Sequence, residues 1–161
     1  MHPKPKIKST NRNRIEILHG INRPQVKGTQ AILKALERIV SEFDNVIVHT
    51  PERLTQKDYL SIFKNIDISI DQSKCHSYGM NAIYSLMYGH VVLAPADSLC
   101  NNSLGISNNP LISITDDEEA IYLQLKNLLI NLKLDSLKEK SQKFGYDMHD
   151  PLVVAKKLID V

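Results

Sequence analysis

The chain has 161 residues, 42% of them hydrophobic, with 20 Lys and Arg against 18 Asp and Glu. Such a length gives one domain that buries roughly two thirds of its unfolded surface, and a net charge of +2 is too small to mark a nucleic-acid binder. Two cysteines, Cys75 and Cys100, make no disulfide framework, and no apolar run approaches the roughly 20 residues of a membrane-spanning helix.

Residues 1–13 are distinctly basic (Lys4, Lys6, Lys8, Arg12) and carry no apolar run. They read as a flexible, solvated N-terminal segment, neither signal peptide nor membrane anchor. With no export signal, a reduced cytoplasmic protein is the expectation. The domain proper is expected over residues 14–161. Arg14 to His19 predicts a first strand, and Gly20 to Pro24 the turn after it. Lys27-Gly28-Thr29 opens a helix with Ile32, Leu33, Leu36, Ile39 and Val40 at helical spacing. Val46 to Val48 is the next strand, closed by Thr50-Pro51, and Thr55 caps a helix carrying Tyr59, Leu60, Ile62 and Phe63.

The stretch from Asp67 to Pro95 is the most informative. Ile68 to Ile70 is a strand, Asp71 to Gly79 a polar loop, and Met80 to Tyr88 a helix stopped by Gly89. Val91 to Ala94 is then a second buried strand. Strand, loop, helix and strand make one parallel crossover unit. A loop at the carboxyl end of such a strand, feeding a helix N-terminus, is where open α/β sheets bind ligands, anions especially. Ala96 to Asn109 reads as polar and irregular, Leu111 to Ile114 as a last strand, and Thr115-Asp116-Asp117-Glu118 as the cap of a helix reaching Leu132. Helices over Leu134 to about Phe144 and Pro151 to Val161 close the chain. Alternating strands and helices predict a single Rossmann-like, three-layer α/β domain with a parallel sheet of about five strands.

Several of these segments together resemble the C-terminal, donor-binding half of retaining glycosyltransferases of the GT-B architecture. They are Arg23-Pro24-Gln25-Val26-Lys27-Gly28, Asp67 to Gln72, Tyr78-Gly79-Met80-Asn81-Ala82-Ile83, and Leu86-Met87-Tyr88-Gly89-His90-Val91-Val92. The tail from Phe144 to Pro151 is similar to the family's closing helices, where the chain crosses back to the other half. The resemblance implies transfer of a sugar from a nucleotide-sugar, as in polysaccharide or glycoconjugate synthesis. Arg23 and Lys27 at the helix turn, with Gly28, would clamp the diphosphate. Glu52 and Leu54, within Thr50 to Leu54, would lie near the base, and Ser77, Tyr78 and Gly79 near sugar and phosphates. The family's pair of acidic residues, eight positions apart, corresponds here to His76 and Tyr84. His76 is thus the candidate catalytic group, and Tyr84 stands where a carboxylate normally holds the ribose. With the basic pair kept and the acidic partner replaced, binding through the diphosphate more than the ribose is expected.

No cofactor beyond the nucleotide-sugar substrate is implied, and Cys75-His76 lacks the further ligands of a metal site. The expected partner is an acceptor-binding α/β domain, in the same or another chain, and membrane contact is expected only through that partner or the acceptor, at the inner face. Two other readings stay open: a non-catalytic binding or scaffolding domain derived from a glycosyltransferase, and an unrelated flavodoxin-like or receiver domain. A receiver calls for a lysine after the last strand, where this chain has Thr115-Asp116-Asp117.

Overall fold

A computed structural model describes residues 4–131 and 133–159. The expected segment's first three residues, the predicted helix end at Leu132, and Asp160 and Val161 lie outside the described residues. Five strands form one parallel sheet: β1 (Ile15–Leu18), β2 (Val46–His49), β3 (Ile68–Ile70), β4 (Val91–Ala94) and β5 (Ile112–Ser113), in the order β2-β1-β3-β4-β5. The chain steps from β1 outward to β2, then crosses back to start again at β3. The order therefore reverses between β1 and β3, and the carboxyl ends of these two strands diverge into a crevice.

Side-chain alternation sorts the strands onto two helical layers. Ile15, Ile17, Ile68, Ile70, Val91 and Leu93 face one layer, where α2 (Thr29–Glu42) and α6 (Glu118–Asn131) contribute Ile32, Ile39, Ile121 and Leu125. On the other face Val92 and Ala94 meet Ala82 and Leu86 of α4 (Met80–Tyr88), with Phe144 of α7 (Leu134–His149) packed against them. Leu18 meets Phe63 of α3 (Gln56–Phe63) on the same side. Each fully buried Ile or Leu contributes about 1.5–3 kcal/mol.

Local signals hold where they are strongest. Thr55 caps α3 by accepting from the Asp58 N–H, and Gly89 ends α4 at φ 77°. Elsewhere the structure differs from the sequence expectation. Pro24 does not precede the helix as a spacer; it starts a one-turn helix, α1 (Pro24–Lys27), and Gly28 at φ 70° breaks it from α2. The stretch predicted as irregular contains α5 (Ser98–Leu104), whose N-terminus is capped by Asp97 and whose end is Gly105 at φ 62°. α7 runs on past Phe144 to His149, and α8 (Pro151–Ile159) follows it.

The basic segment is not a free tail over residues 4–13. Lys8 Nζ donates to Asn65 O (2.6 Å) and Asp67 Oδ2 (2.7 Å), and Thr10 Oγ1 donates to Asp135 (2.7 Å). Gln142 of α7 donates to Pro5 O (2.8 Å), and Ile7 packs over Gly89. These contacts run under the amino edge of the sheet, where a neutralised lysine and a few backbone bonds replace the expected solvation. No helix among the described residues is long and apolar enough to cross a membrane.

Candidate functional site

The switch point is built from buried polar groups. His19, just past β1, is fully buried, its Nδ1 3.0 Å from Ile70 O and its Nε2 3.0 Å from Thr29 Oγ1. A carbonyl only accepts, so Nδ1 carries the proton and Nε2 accepts from the threonine hydroxyl. Burial pushes the imidazole down to about 4, so it stays neutral and ties the ends of β1 and β3 to the start of α2.

The loops after β1 and β2 are stitched by an isolated parallel bridge between Ile21 and Glu52, with the Ile21 N–H donating to Pro51 O (3.0 Å). Beside the bridge lie Arg23 (φ 54°) and Arg53 (φ 51°), the positive-φ non-glycine residues of the described backbone. Such conformations cost about 1–3 kcal/mol and persist where the surroundings fix them, often at ligand clamps. Between these loops and α4 opens a cleft of about 510 Å³, lined by Gly20, Asn22, Lys27, Arg53, Leu54, Tyr59, Asn81 and Tyr84 among others. Its size suits a nucleoside-sized ligand.

Tyr59 Oη donates to Asn81 Oδ1 (2.6 Å); burial, with the Asp71 charge, pushes the phenol up to about 12, so it keeps its proton. Asn81, which lines the cleft, leaves its Nδ2 buried and without a hydrogen-bond partner among the described residues. An unsatisfied amide of this kind costs about 1–3 kcal/mol. Lys27 Nζ donates to Asp71 Oδ1 (3.0 Å), and the Gly79 N–H donates to Asp71 Oδ2 (2.6 Å). Lys27 is only 5% exposed and Asp71 1%. The ammonium expected to clamp a diphosphate is half of a buried ion pair beneath the N-terminus of α4.

The other sequence candidates scatter. Leu54 and Tyr84 line the cleft, Tyr84 as a half-exposed lip. Glu52 is exposed on the bridge and off the lining, while Arg23 is exposed at the start of α1. Gly28 faces a separate cavity of about 620 Å³ across α1, against Ser73 and Asp116. His76 lines neither of these. It sits exposed in a groove of about 410 Å³ with Asp97, its Nδ1 2.9 Å from Asp97 Oδ2. Tyr78 turns inward, its hydroxyl 3.0 Å from His149 Nε2, and Ser77 only offers its carbonyl to Gln72 (2.6 Å). Thus the eight-residue spacing of His76 and Tyr84 places them at different cavities, one on the loop and one on the helix. Sequence reasoning missed Arg53, Tyr59, Asn81 and Asp71. Arg53 lay inside the stretch expected near the base, and Asp71 and Asn81 inside segments that carry the resemblance, while Tyr59 had no signal beyond its helix face.

No protein-family model and no curated protein matches the chain. Solved structures do match in fold. The GtfA/B complex superposes with TM-score 0.69 at 9% identity, over 98% of this chain and 38% of that one. A glycosyltransferase from Rickettsia africae gives 0.64 at 12% identity, over 92% and 47%. Anabaena Alr3699/HepE in complex with UDP gives 0.62 at 11%, over 92% and 50%. The chain spans half or less of the length of these structures. At such identities the likeness speaks for architecture alone, and the architecture is that of a Rossmann-like α/β domain, one half of a GT-B fold.

Proposed function

We propose that this domain recognises a nucleotide-sugar donor through the cleft at the β1/β3 switch point, as the donor half of a glycosyltransferase active in polysaccharide or glycoconjugate synthesis. The carrying observation is that cleft: about 510 Å³, walled by the bridged β1 and β2 loops and lined by Arg53, Leu54, Tyr59 and Asn81. The base would lie against Leu54 and the ribose against Tyr84. The phosphates would face Arg53 at the rim of the cleft. Arg23 would contribute from the loop after β1. His76, held by Asp97 in a groove apart from the cleft, would act only on a part of the donor that reaches beyond it. Structural likeness to a protein in complex with UDP supports a uridine nucleotide as the first ligand to try.

Sugar transfer also needs an acceptor aligned against the anomeric carbon, and closure that excludes water. The single sheet supplies one wall only. An acceptor-binding α/β domain would supply the other, and α8 offers it a surface: no residue of α8 is buried, and Leu152, Leu158 and Ile159 are exposed. A non-catalytic binding role is the second reading, favoured by the neutralised Lys27 and by His76 and Tyr84 standing at the acidic positions.

Calorimetric titration with uridine, guanosine and their diphosphates tests the cleft. Saturable binding to the wild-type chain is expected, weakened about tenfold or more by Leu54→Asp with no change in thermal midpoint, because Leu54 is surface-exposed. Binding that ignores this substitution would move the ligand elsewhere. The isolated chain is expected to transfer no sugar to a mixed acceptor pool; turnover on the order of 1 per second would show that one domain suffices.

A further inference from the structure

We infer that Asp71 is a built-in counter-anion that decides which ligands the cleft accepts, favouring the nucleoside part and discriminating against phosphate at Lys27. The inference rests on the cleft being the nucleotide site. Two donors converge beneath α4 where an incoming phosphate would seek them, the Lys27 ammonium and the Gly79 N–H. One carboxylate already takes both, at 3.0 Å and 2.6 Å.

The arrangement is dry and close-packed. Asp71 is 1% exposed and Lys27 5%, so water screens their interaction poorly. A Cβ on Gly79 would stand 3.1 Å from Asp71 Oδ2, which shows how tightly the carboxylate lies against the start of the helix. No room separates it from the N–H groups that an anion would use. A phosphate drawn to this corner must either displace the carboxylate, leaving it buried without its partners, or sit beside a like charge. Neither cost falls on an uncharged nucleoside. Free positive charge remains at the rim instead, on Arg53, which lines the cleft and pairs with no carboxylate among the described residues. The phosphates of a bound nucleotide would therefore point outward to Arg53, where solvent weakens their contribution.

The experiment compares uridine with uridine diphosphate by calorimetry. For the wild-type chain the diphosphate is expected to bind no more than about threefold tighter than the nucleoside, less than the tenfold that one charge-assisted contact brings. Asp71→Asn keeps an acceptor for the Gly79 N–H, removes the charge and frees Lys27. It is expected to raise diphosphate affinity about tenfold or more and to leave uridine unchanged. Asp71→Asn with Lys27→Met removes both charges and should return the diphosphate to its wild-type affinity. Thermal unfolding checks each variant, and the wild-type ratio stands even if a variant fails to fold. A wild-type preference for the diphosphate of tenfold or more, or a folded Asp71→Asn chain with no gain, overturns the inference and leaves the cleft reading intact. Failure of both ligands to bind the wild-type chain overturns the cleft reading and this inference with it.

Discussion

Replacing Lys138 should unlock the amino edge of the sheet. Its ammonium is fully buried on α7 and donates to Asp67 Oδ1 (2.6 Å), Thr10 Oγ1 (2.9 Å) and Lys8 O (3.0 Å). Asp67, also fully buried, immediately precedes β3, the strand whose other end delivers Asp71 to the cleft. Its second oxygen accepts from Lys8 Nζ (2.7 Å) and the Glu16 N–H (2.9 Å). Lys138→Met therefore strips Oδ1 of its ammonium partner but leaves Oδ2 satisfied. Removing one member of a buried pair costs about 3–5 kcal/mol, and the remaining Lys8 places this site near the lower end, about 3 kcal/mol. For a chain of this size that lowers the midpoint by about 6–12 °C. Lys8→Met should cost less, about 1 kcal/mol, because Lys8 is a quarter exposed. Adding Asp67→Asn to Lys138→Met removes the orphaned charge while keeping an acceptor for Glu16, so the double variant should recover most of the loss. Chemical denaturation of the four proteins closes a double-mutant cycle, with an expected coupling of about 2 kcal/mol or more. A coupling near zero, or a Lys138→Met chain within 1 kcal/mol of wild type, would falsify the claim that this pair fastens β3.

Gly145→Ala should destabilise by about 1–3 kcal/mol in urea unfolding, because its Cβ would meet Met87 N at 2.9 Å, main chain that cannot step aside, and this outweighs the better helix propensity of alanine. Stability should fall on acidification: burial holds His19 at about 4 and His90 at about 3, below the unfolded value of about 6.5, so the unfolded chain binds the extra protons. The stabilisation is complete above pH 6.5 and lost as pH falls towards those folded values, at about 1.4 kcal/mol per group per pH unit; His90→Phe should flatten part of the slope in denaturation measured between pH 7 and 5. Tyr84→Glu, on the exposed lip, should raise uridine affinity about tenfold in calorimetry by giving the ribose hydroxyls a carboxylate, and an unchanged affinity would remove Tyr84 from the ribose position.

What the sequence determined by itself was the part governed by near neighbours. Apolar periodicity marked all five strands to within a residue at each end and the helices carrying Ile32 and Leu86, because a strand or helix declares its buried face every two or roughly 3.6 residues. Thr55 and Gly89 announced their helix ends through bonds that span only a few residues. The Asn-rich α5 misled the same reasoning: its composition speaks for a loop, and a cap at Asp97 with Cys100 buried beneath it was enough to wind the helix. Only the tertiary structure decided what joins residues far apart in the chain. The strand order 2-1-3-4-5 is shared by flavodoxin-like folds; the motifs around Arg23, Asp67 and Tyr78 already point to a GT-B half, and superposition on longer solved structures bears out that architecture. Lys27 and Asp71 are 44 residues apart and Lys138 and Asp67 are 71, so nothing local couples them. They meet because β1 and β3 lie side by side and α7 crosses beneath, and burial then turns two ordinary lysines into halves of ion pairs. The same packing sends His76 and Tyr84 to different cavities, since one rides on the loop and the other on the helix that follows it.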